Sequence, residues 1–455
     1  MRSLARLSRS FFTRSDAASA ARRGSAAALL VRLANAALAY LAQVVLARLM
    51  GQFEYGVFAY TWVWFMVFTA VSTLGFGNSP LRYIAELKER GEAAHLRGFL
   101  LVAPIVVILV SVATGVLLVL ALPLAARWIG EAYLIPMMLM ALAVPFACMQ
   151  CFLEAVDRSF GWTVRALLPI YILRHALLLL FMVAAVWLGF EATAANGFVC
   201  LVAVLVVSLV YQAVDLLIRL RRVLPAGPRS YRVREWIGGS VPFAVLYGAS
   251  HLTSFADILV LSFFVSPAEI AVYFAATRII QVVNLVPFAA TVGTAHLLAA
   301  SHTRGDQGEL QRLTRHVAVT TFAVAGLAVA VIIAAGDWLL AMFGQGYEAG
   351  YMALAILALG IVARVAAGPA EDVLNMTGNG SLSAKTYLVV VAVNVALAVA
   401  LVIPFGIGGA AAASAISLAL RAAWLSAAVG RRLRINTSIF STLPSWSAHR
   451  VLKKS

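Results

Sequence analysis

VVLARLMGQFEYGVFAY, residues 44–60, sets Arg48 and Glu54 between two long apolar runs, and LVLSFFVSPAEIAVYFA, residues 259–275, repeats the pattern. At an offset of 215, Val45 meets Val260, Leu46 meets Leu261, Glu54 meets Glu269, Val57 meets Val272 and Phe58 meets Tyr273. The register persists: Arg90-Gly91-Glu92 falls opposite Arg304-Gly305-Asp306, and Gly130 to Tyr133 opposite Gly344 to Tyr347, both at 214. Three islands in one register mark a duplicated bundle.

The runs around these islands set the fold class. Of 455 residues 63% are hydrophobic and 12% charged, more apolar surface than a soluble domain can hide from water. Apolar stretches of about 20 residues, the length a helix needs to cross hydrocarbon, recur at about 26–50, 56–78, 98–123, 134–153, 166–188, 193–218, 236–265, 269–299, 314–335, 350–369, 386–404 and 408–429. The expected fold is an all-α polytopic membrane protein with about twelve transmembrane helices in two six-helix bundles. Six helices per repeat give both copies the same orientation, so the axis relating them runs along the membrane normal. The domains expected are a basic tail 1–25, bundles 26–218 and 236–430, a linker 219–235 and a basic tail 431–455.

Lys and Arg test that count, because they collect in cytoplasmic loops. One side of the twelve-span layout holds 28 of the 35, the other only Arg48 and Arg127, and five lie within spans. Both termini are therefore expected in the cytoplasm. The net charge of +16 reflects topology and attraction to anionic headgroups, not nucleic-acid binding. The Arg- and Ser-rich segment 1–25 suits an interfacial helix or cytoplasmic tail better than a transit peptide. Cys148 and Cys151 read as packing thiols, since no second ligand pair accompanies them; no metal or cofactor is expected.

Polar residues inside spans usually face a bundle interior or a wet cavity. Arg32, Asn35 and Gln43 form one stripe on the first helix, and Tyr247, Ser250, Ser254 and Asp257 form another on the seventh, by 100° spacing. At offset 215 Arg32 falls opposite Tyr247 and Asn35 opposite Ser250, so the stripes are expected to line a shared lumen. Further lumen candidates are Arg278, Gln281 and Asn284 on the eighth helix, which Pro287 should bend, with Arg174 and Arg364. Arg421 reads instead as a side chain snorkelling to headgroups. Guanidinium forks match phosphate oxygens, so an anionic, phosphate-bearing guest is the economical ligand. The lone acid Asp257 suits a coupling ion, H+ or Na+, or an ion pair with an arginine. Arg48 is placed to guard the outer mouth, and Glu54 and Glu269 to begin the helices that follow them.

No HExxH, Walker or GxSxG sequence is present and the outward loops are short, which argues against a catalytic surface or an ATP-driven pump. ARLMGQFEYGVFAY (47–60), LGFGNSPLRYIAELKERGE (74–92) and ADILVLSFFVSPAEIAVYFAATRI (256–279) resemble stretches of the bacterial polysaccharide-repeat flippases, the Wzx-like branch of the multidrug/oligosaccharidyl-lipid/polysaccharide (MOP) exporter superfamily. The resemblance implies two bundles in a V and a secondary flippase, not an enzyme. It would carry undecaprenyl-diphosphate-linked oligosaccharide across the inner membrane by alternating access, for lipopolysaccharide O-antigen, exopolysaccharide or capsule biosynthesis. Implied partners are that lipid-linked substrate, membrane lipids, a polysaccharide polymerase and glycosyltransferases. The alternatives are a cation-coupled drug exporter of the same superfamily and a membrane-embedded polysaccharide transferase or polymerase. Reporter fusions test the topology: a cytoplasm-dependent reporter placed after Gly91 or Gly227 should be active, and one placed after Gly130 or Gly346 silent.

Overall fold

The computed structural model describes residues 2–439. The tail beyond 439, which holds most of the expected basic segment 431–455, lies outside the described residues, as does the side chain of Arg32. Fifteen α-helices follow in order: α1 (Arg2–Ser72), α2 (Ser79–Glu89), α3 (Ala93–Ile129), α4 (Leu134–Ser159), α5 (Thr163–Leu167), α6 (Arg174–Trp187), α7 (Ala194–Val223), α8 (Val233–Leu261), α9 (Pro267–Val283), α10 (Leu285–Thr303), α11 (Gln307–Ala334), α12 (Gly336–Ala341), α13 (Tyr351–Ala366), α14 (Ala370–Met376) and α15 (Gly380–Leu433). No strand occurs among the described residues. This follows from the solvent: in hydrocarbon each backbone N–H and C=O must be satisfied within its own segment, which a helix achieves.

Ten helices are long and apolar enough to span a membrane. Two of them are broken by one glycine, Gly51 at φ 71°, ψ 173° in α1 and Gly406 at φ 53°, ψ −131° in α15. Counting two legs for each gives twelve crossing segments among the described residues, the number expected. The turn at 48–55 is therefore one glycine wide, a conformation that a Cβ makes costly. The expected eighth span is divided at Asn284 into α9 and α10. Pro287 is the cause, because it has no N–H to give to the carbonyl four residues back.

Glu54 and Glu269 part ways. Glu269 begins its own helix in a capping box with Ser266. Glu54 instead accepts a hydrogen bond from the backbone N–H of Ala194 at 2.7 Å, so its carboxylate sits at the positive end of α7 rather than of its own helix.

The chain packs as two compact units, Met1–His251 and Leu252–Ser455, with the division inside α8. In the first unit, Tyr83 Oη donates to Glu235 O at 3.1 Å, Ser240 Oγ to Ser79 Oγ at 2.8 Å, and Trp236 stands edge-on to Phe99. Arg97 grips the segment before α8 by donating to Pro225 O at 2.8 Å and Pro228 O at 3.2 Å. In the second unit Gln311, at offset 214 from Arg97, bonds Asn436 in both directions at 2.8 Å. Each unit thus straps the segment leaving its last helix to the start of its third, so the repeat reaches beyond the spans.

Because no atom lies within 4 Å of a Cβ added at Gly51 or Gly326, and only Gly51 has positive φ, the pair isolates backbone strain. Gly51→Ala should cost about 1–3 kcal/mol of stability and Gly326→Ala should be neutral or slightly stabilising, measured by denaturation of the detergent-solubilised protein.

Candidate functional site

Five expected residues meet in the second unit. Ser254, Asp257, Gln281, Asn284 and Arg364 line one cavity of about 260 Å³, together with Asn394, Ser414 and Arg421. The break at Asn284 presents that amide, whose Oδ1 accepts from Arg364 Nη1 at 3.1 Å. Arg421, read from its sequence position as snorkelling to headgroups, is turned into the second unit and lines the cavity. Its side chain is 13% exposed, salt-bridged to Glu371 Oε2 and stacked 3.6 Å from the Tyr387 ring. A carboxylate and an aromatic face hold it in the bundle more firmly than snorkelling would. Arg364, Leu418 and Arg421 also line a second, smaller cavity with Thr321, Glu371 and Asp372.

Asp257 is 8% exposed, and it is matched without an arginine. Tyr273 Oη donates to its Oδ2 at 2.5 Å, Ser414 Oγ to the same oxygen at 3.0 Å, and the N–H of Ile258 to Oδ1 at 2.8 Å. Three donors from α8, α9 and α15 are the kind of shell a buried carboxylate requires. Hydroxyls can also turn their lone pairs toward a cation, so the same oxygen cluster can exchange a proton or a small ion.

The first unit holds a counterpart. A π-helical turn, Leu168–Leu173, leads into Arg174, a local widening of the sort often found at sites. Arg174 is 6% exposed, its Nη2 donates to Gln150 Oε1 at 2.6 Å, and Gln150 Nε2 donates to Ser208 Oγ at 2.5 Å. Gln150, Arg174 and Ser208 precede Arg364, Tyr387 and Arg421 by 214, 213 and 213 residues. Likewise Gln43 precedes Asp257 by 214, and it too accepts from a tyrosine, Tyr55 Oη at 2.8 Å. Each unit therefore buries a guanidinium within the same three-position cluster of the repeat, though at different members of it. Of the two cavity arginines of the second unit, Arg421 pairs with Glu371 and Arg364 with Asn284, and at the tyrosine-bonded position the second unit has an acid where the first has an amide.

The other expected residues do not join the cavity directly. Arg278 lies over the Phe274 ring at 4.1 Å and reaches it through Gln281, whose Oε1 accepts from Nη1 at 2.9 Å. Tyr247 packs against His251, with ring centroids 4.5 Å apart, in the first unit. Asn35 and Ser250 are half-buried and Arg48 is exposed. Sequence reasoning missed Arg421 as a site residue, with Asn394, Ser414, Tyr273 and Tyr387. Carrying the 213–214 offset through the spans would have found Arg421 and Tyr387, opposite Ser208 and Arg174.

The helical spans and the buried cationic cavity define a multi-pass membrane protein with the fold of the MOP-superfamily transporters. The family model described as "Polysaccharide biosynthesis protein" matches residues 21–295, more than half of the chain, and the chain belongs to that family. A second model, MatE, matches residues 242–400. Solved structures agree in fold. An inward-facing multidrug resistance MATE family transporter of the MOP superfamily is 16% identical with a TM-score of 0.76, over 89% of this chain and 99% of that one. Its outward-facing counterpart is 15% identical with a TM-score of 0.64, over 91% and 96%. A MOP superfamily transporter from Pyrococcus furiosus, described as having a binding pocket of reverse polarity, is 16% identical with a TM-score of 0.64, over 91% and 95%. No curated protein matches the chain.

Glu371→Gln removes the carboxylate that holds Arg421. Because Glu371 is about a third exposed, the loss should be about 1–2 kcal/mol of stability rather than the ~3–5 kcal/mol of a fully buried pair. Adding Arg421→Gln to that variant should restore most of it, as a double-mutant cycle in detergent will show.

Proposed function

We propose that this protein is a secondary flippase that moves undecaprenyl-diphosphate-linked oligosaccharide repeat units across the bacterial inner membrane, supplying O-antigen, exopolysaccharide or capsule assembly. The observation that carries the reading is the cavity of the second unit, where Arg364 and Arg421 outnumber the single lining carboxylate, Asp257, which is bonded by Tyr273 and Ser414. A cavity of about 260 Å³ is below the about 300–1,000 Å³ of most small-molecule sites. It suits a charged head group such as a diphosphate, with the sugars and the polyprenyl chain outside it. Two guanidinium forks can share the four outer oxygens of a diphosphate in bidentate geometry. Membership of the polysaccharide biosynthesis family supports the same substrate class.

In this reading the arginines bind the diphosphate from the cytoplasmic leaflet, where both termini and most of the Lys and Arg reside. Asp257 resets the cycle: its oxygen, shared by Tyr273 and Ser414, takes up a proton or Na+ and releases it on the other side. Arg278 supports the wall through Gln281, Arg174 performs the equivalent packing task in the first unit, and Arg48 guards the periplasmic mouth. A drug exporter for cationic guests would place acids where Arg364 and Arg421 stand.

Loss of one charge-assisted contact to the diphosphate costs about 1.5–3 kcal/mol, or about tenfold to a hundredfold in affinity. Arg364→Ala and Arg421→Ala should each reduce surface-polysaccharide assembly in cells by that order at unchanged protein level, with Arg364→Lys intermediate. Asp257→Asn should abolish dependence on the ion gradient in proteoliposomes while leaving lipid-diphosphate binding intact. Wild-type assembly in an Arg364→Ala, Arg421→Ala double variant would rule out the diphosphate site.

A further inference from the structure

The seam between α4 and α7 in the first unit carries a second polar centre that the transport site does not use. Along α7, Ser208, Gln212, Asp215 and Arg219 recur at helical spacing on one face, and Gln150 and Asp157 lie one heptad apart on α4. Gln150 and Ser208 satisfy one another and Arg174. Further along, the pairing fails. Asp157 is fully buried, yet neither carboxylate oxygen accepts a hydrogen bond of good geometry, although Arg219 and Gln212 both approach it. Gln212, 1% exposed, faces that carboxylate, but neither atom of its amide makes a hydrogen bond of good geometry.

One cation serves two acids here. Arg219 Nη2 stands 3.2 Å from Asp157 Oδ1, off the hydrogen-bond line, while the same nitrogen bonds Asp215 Oδ2. Arg165 Nη1 holds the other oxygen of Asp215 at 2.8 Å. The Arg219 guanidinium lies over the Trp162 ring at 4.3 Å, Trp162 stacks on Phe160, and Lys88 lies over the Phe160 ring at 4.7 Å. The nearest remaining charges on α4 are Glu154 and Arg158, which pair with each other at 3.7 Å. Asp215 is thus doubly neutralised and Asp157 is left with a fraction of one guanidinium.

Comparison within the repeat sharpens the point. Asp157 precedes Glu371 by 214 residues. In the second unit that carboxylate has Arg421 to itself and is about a third exposed. In the first unit its counterpart is buried and underpaired. A buried carboxylate stays ionised only with full hydrogen bonding or a dedicated cation; lacking both, it is the group best placed to take a proton.

We propose that Asp157 is a proton-binding site of the first unit, distinct from the Arg364–Arg421 cavity. In one state Asp157 is ionised and Arg219 is shared between it and Asp215. In the other, one carboxylate oxygen of Asp157 has gained a proton from water at the membrane face that bears the α4–α5 turn. Its new O–H donates to Gln212 Oε1, and Arg219 turns wholly to Asp215. The two states differ in the rotamer of Arg219 and hence in the contact between α7 and the Trp162 turn, which makes protonation readable by the helix packing. Neither substrate nor coupling at Asp257 is needed for the site to exist.

Infrared difference spectroscopy of the purified full-length protein, titrated with pH in the absence of substrate, tests this. The expected result is a carbonyl-stretch band of a protonated carboxylic acid that grows as pH falls, is lost in Asp157→Asn and persists in Asp257→Asn. Gln212→Leu should remove the acceptor and shift the midpoint and the frequency of that band, and Arg219→Gln should raise the midpoint by withdrawing the shared cation. Tryptophan fluorescence should follow the same titration in Trp162-containing protein and lose that component in Trp162→Phe. A pH-dependent band unchanged in a folded Asp157→Asn variant would overturn the proposal, as would a band that is absent at every pH. If Asp157→Asn proves unstable, Asp157→Glu serves instead: a moved carboxyl band supports the site and an unmoved one rejects it.

Discussion

Inside hydrocarbon a guanidinium has to be matched by the protein that carries it, and this requirement organises both units. Arg421 is matched by Glu371 and the Tyr387 ring, Arg364 by Asn284, and Arg174 by Gln150. Each match draws on a different helix, so placing the charge also places the helices. Apolar side chains cannot do this alone, because lipid solvates them as well as a neighbouring helix does. Polar contacts and close backbone approach supply the specificity.

Duplication gave both units the same scaffold and left the chemistry free to diverge. The strap residues Arg97 and Gln311, the tyrosine-bonded Gln43 and Asp257, and the acids Asp157 and Glu371 stand at nearly one offset. The charge differs at the first two places, and at the third the two acids differ in how they are paired. The second unit gathers two arginines and a well-bonded acid around a cavity; the first packs a single arginine tightly and leaves one acid underpaired. A symmetric pair of bundles therefore carries asymmetric polar centres.

Much of the fold was legible beforehand. The spans follow from uninterrupted apolar length, and the twelve legs emerged even though two pairs of them form continuous helices broken only at Gly51 and Gly406. The bend at Pro287 was legible because a missing N–H is a local fact. Glu269 was legible for the same reason, its partner Ser266 being three residues away. Glu54 was not, because the N–H that it caps belongs to Ala194, at the start of α7. Nor did the repeat place the line between packing units, which lies within α8 because Tyr83, Phe99 and Ser79 hold its first turns.

For the site, sequence by itself determined that Ser254, Asp257, Gln281, Asn284 and Arg364 are polar groups in spans and so belong on interior faces, since exposing them to lipid is costly. It also determined that the bundle is duplicated, through a nearly constant offset. Only the tertiary structure decided which of them meet. The inward turn of Arg421, the tyrosine and serine that bond Asp257, and the two acids that compete for Arg219 all depend on helices far apart in sequence. Whether a buried charge is satisfied is a property of its neighbours in space, and no local pattern encodes it.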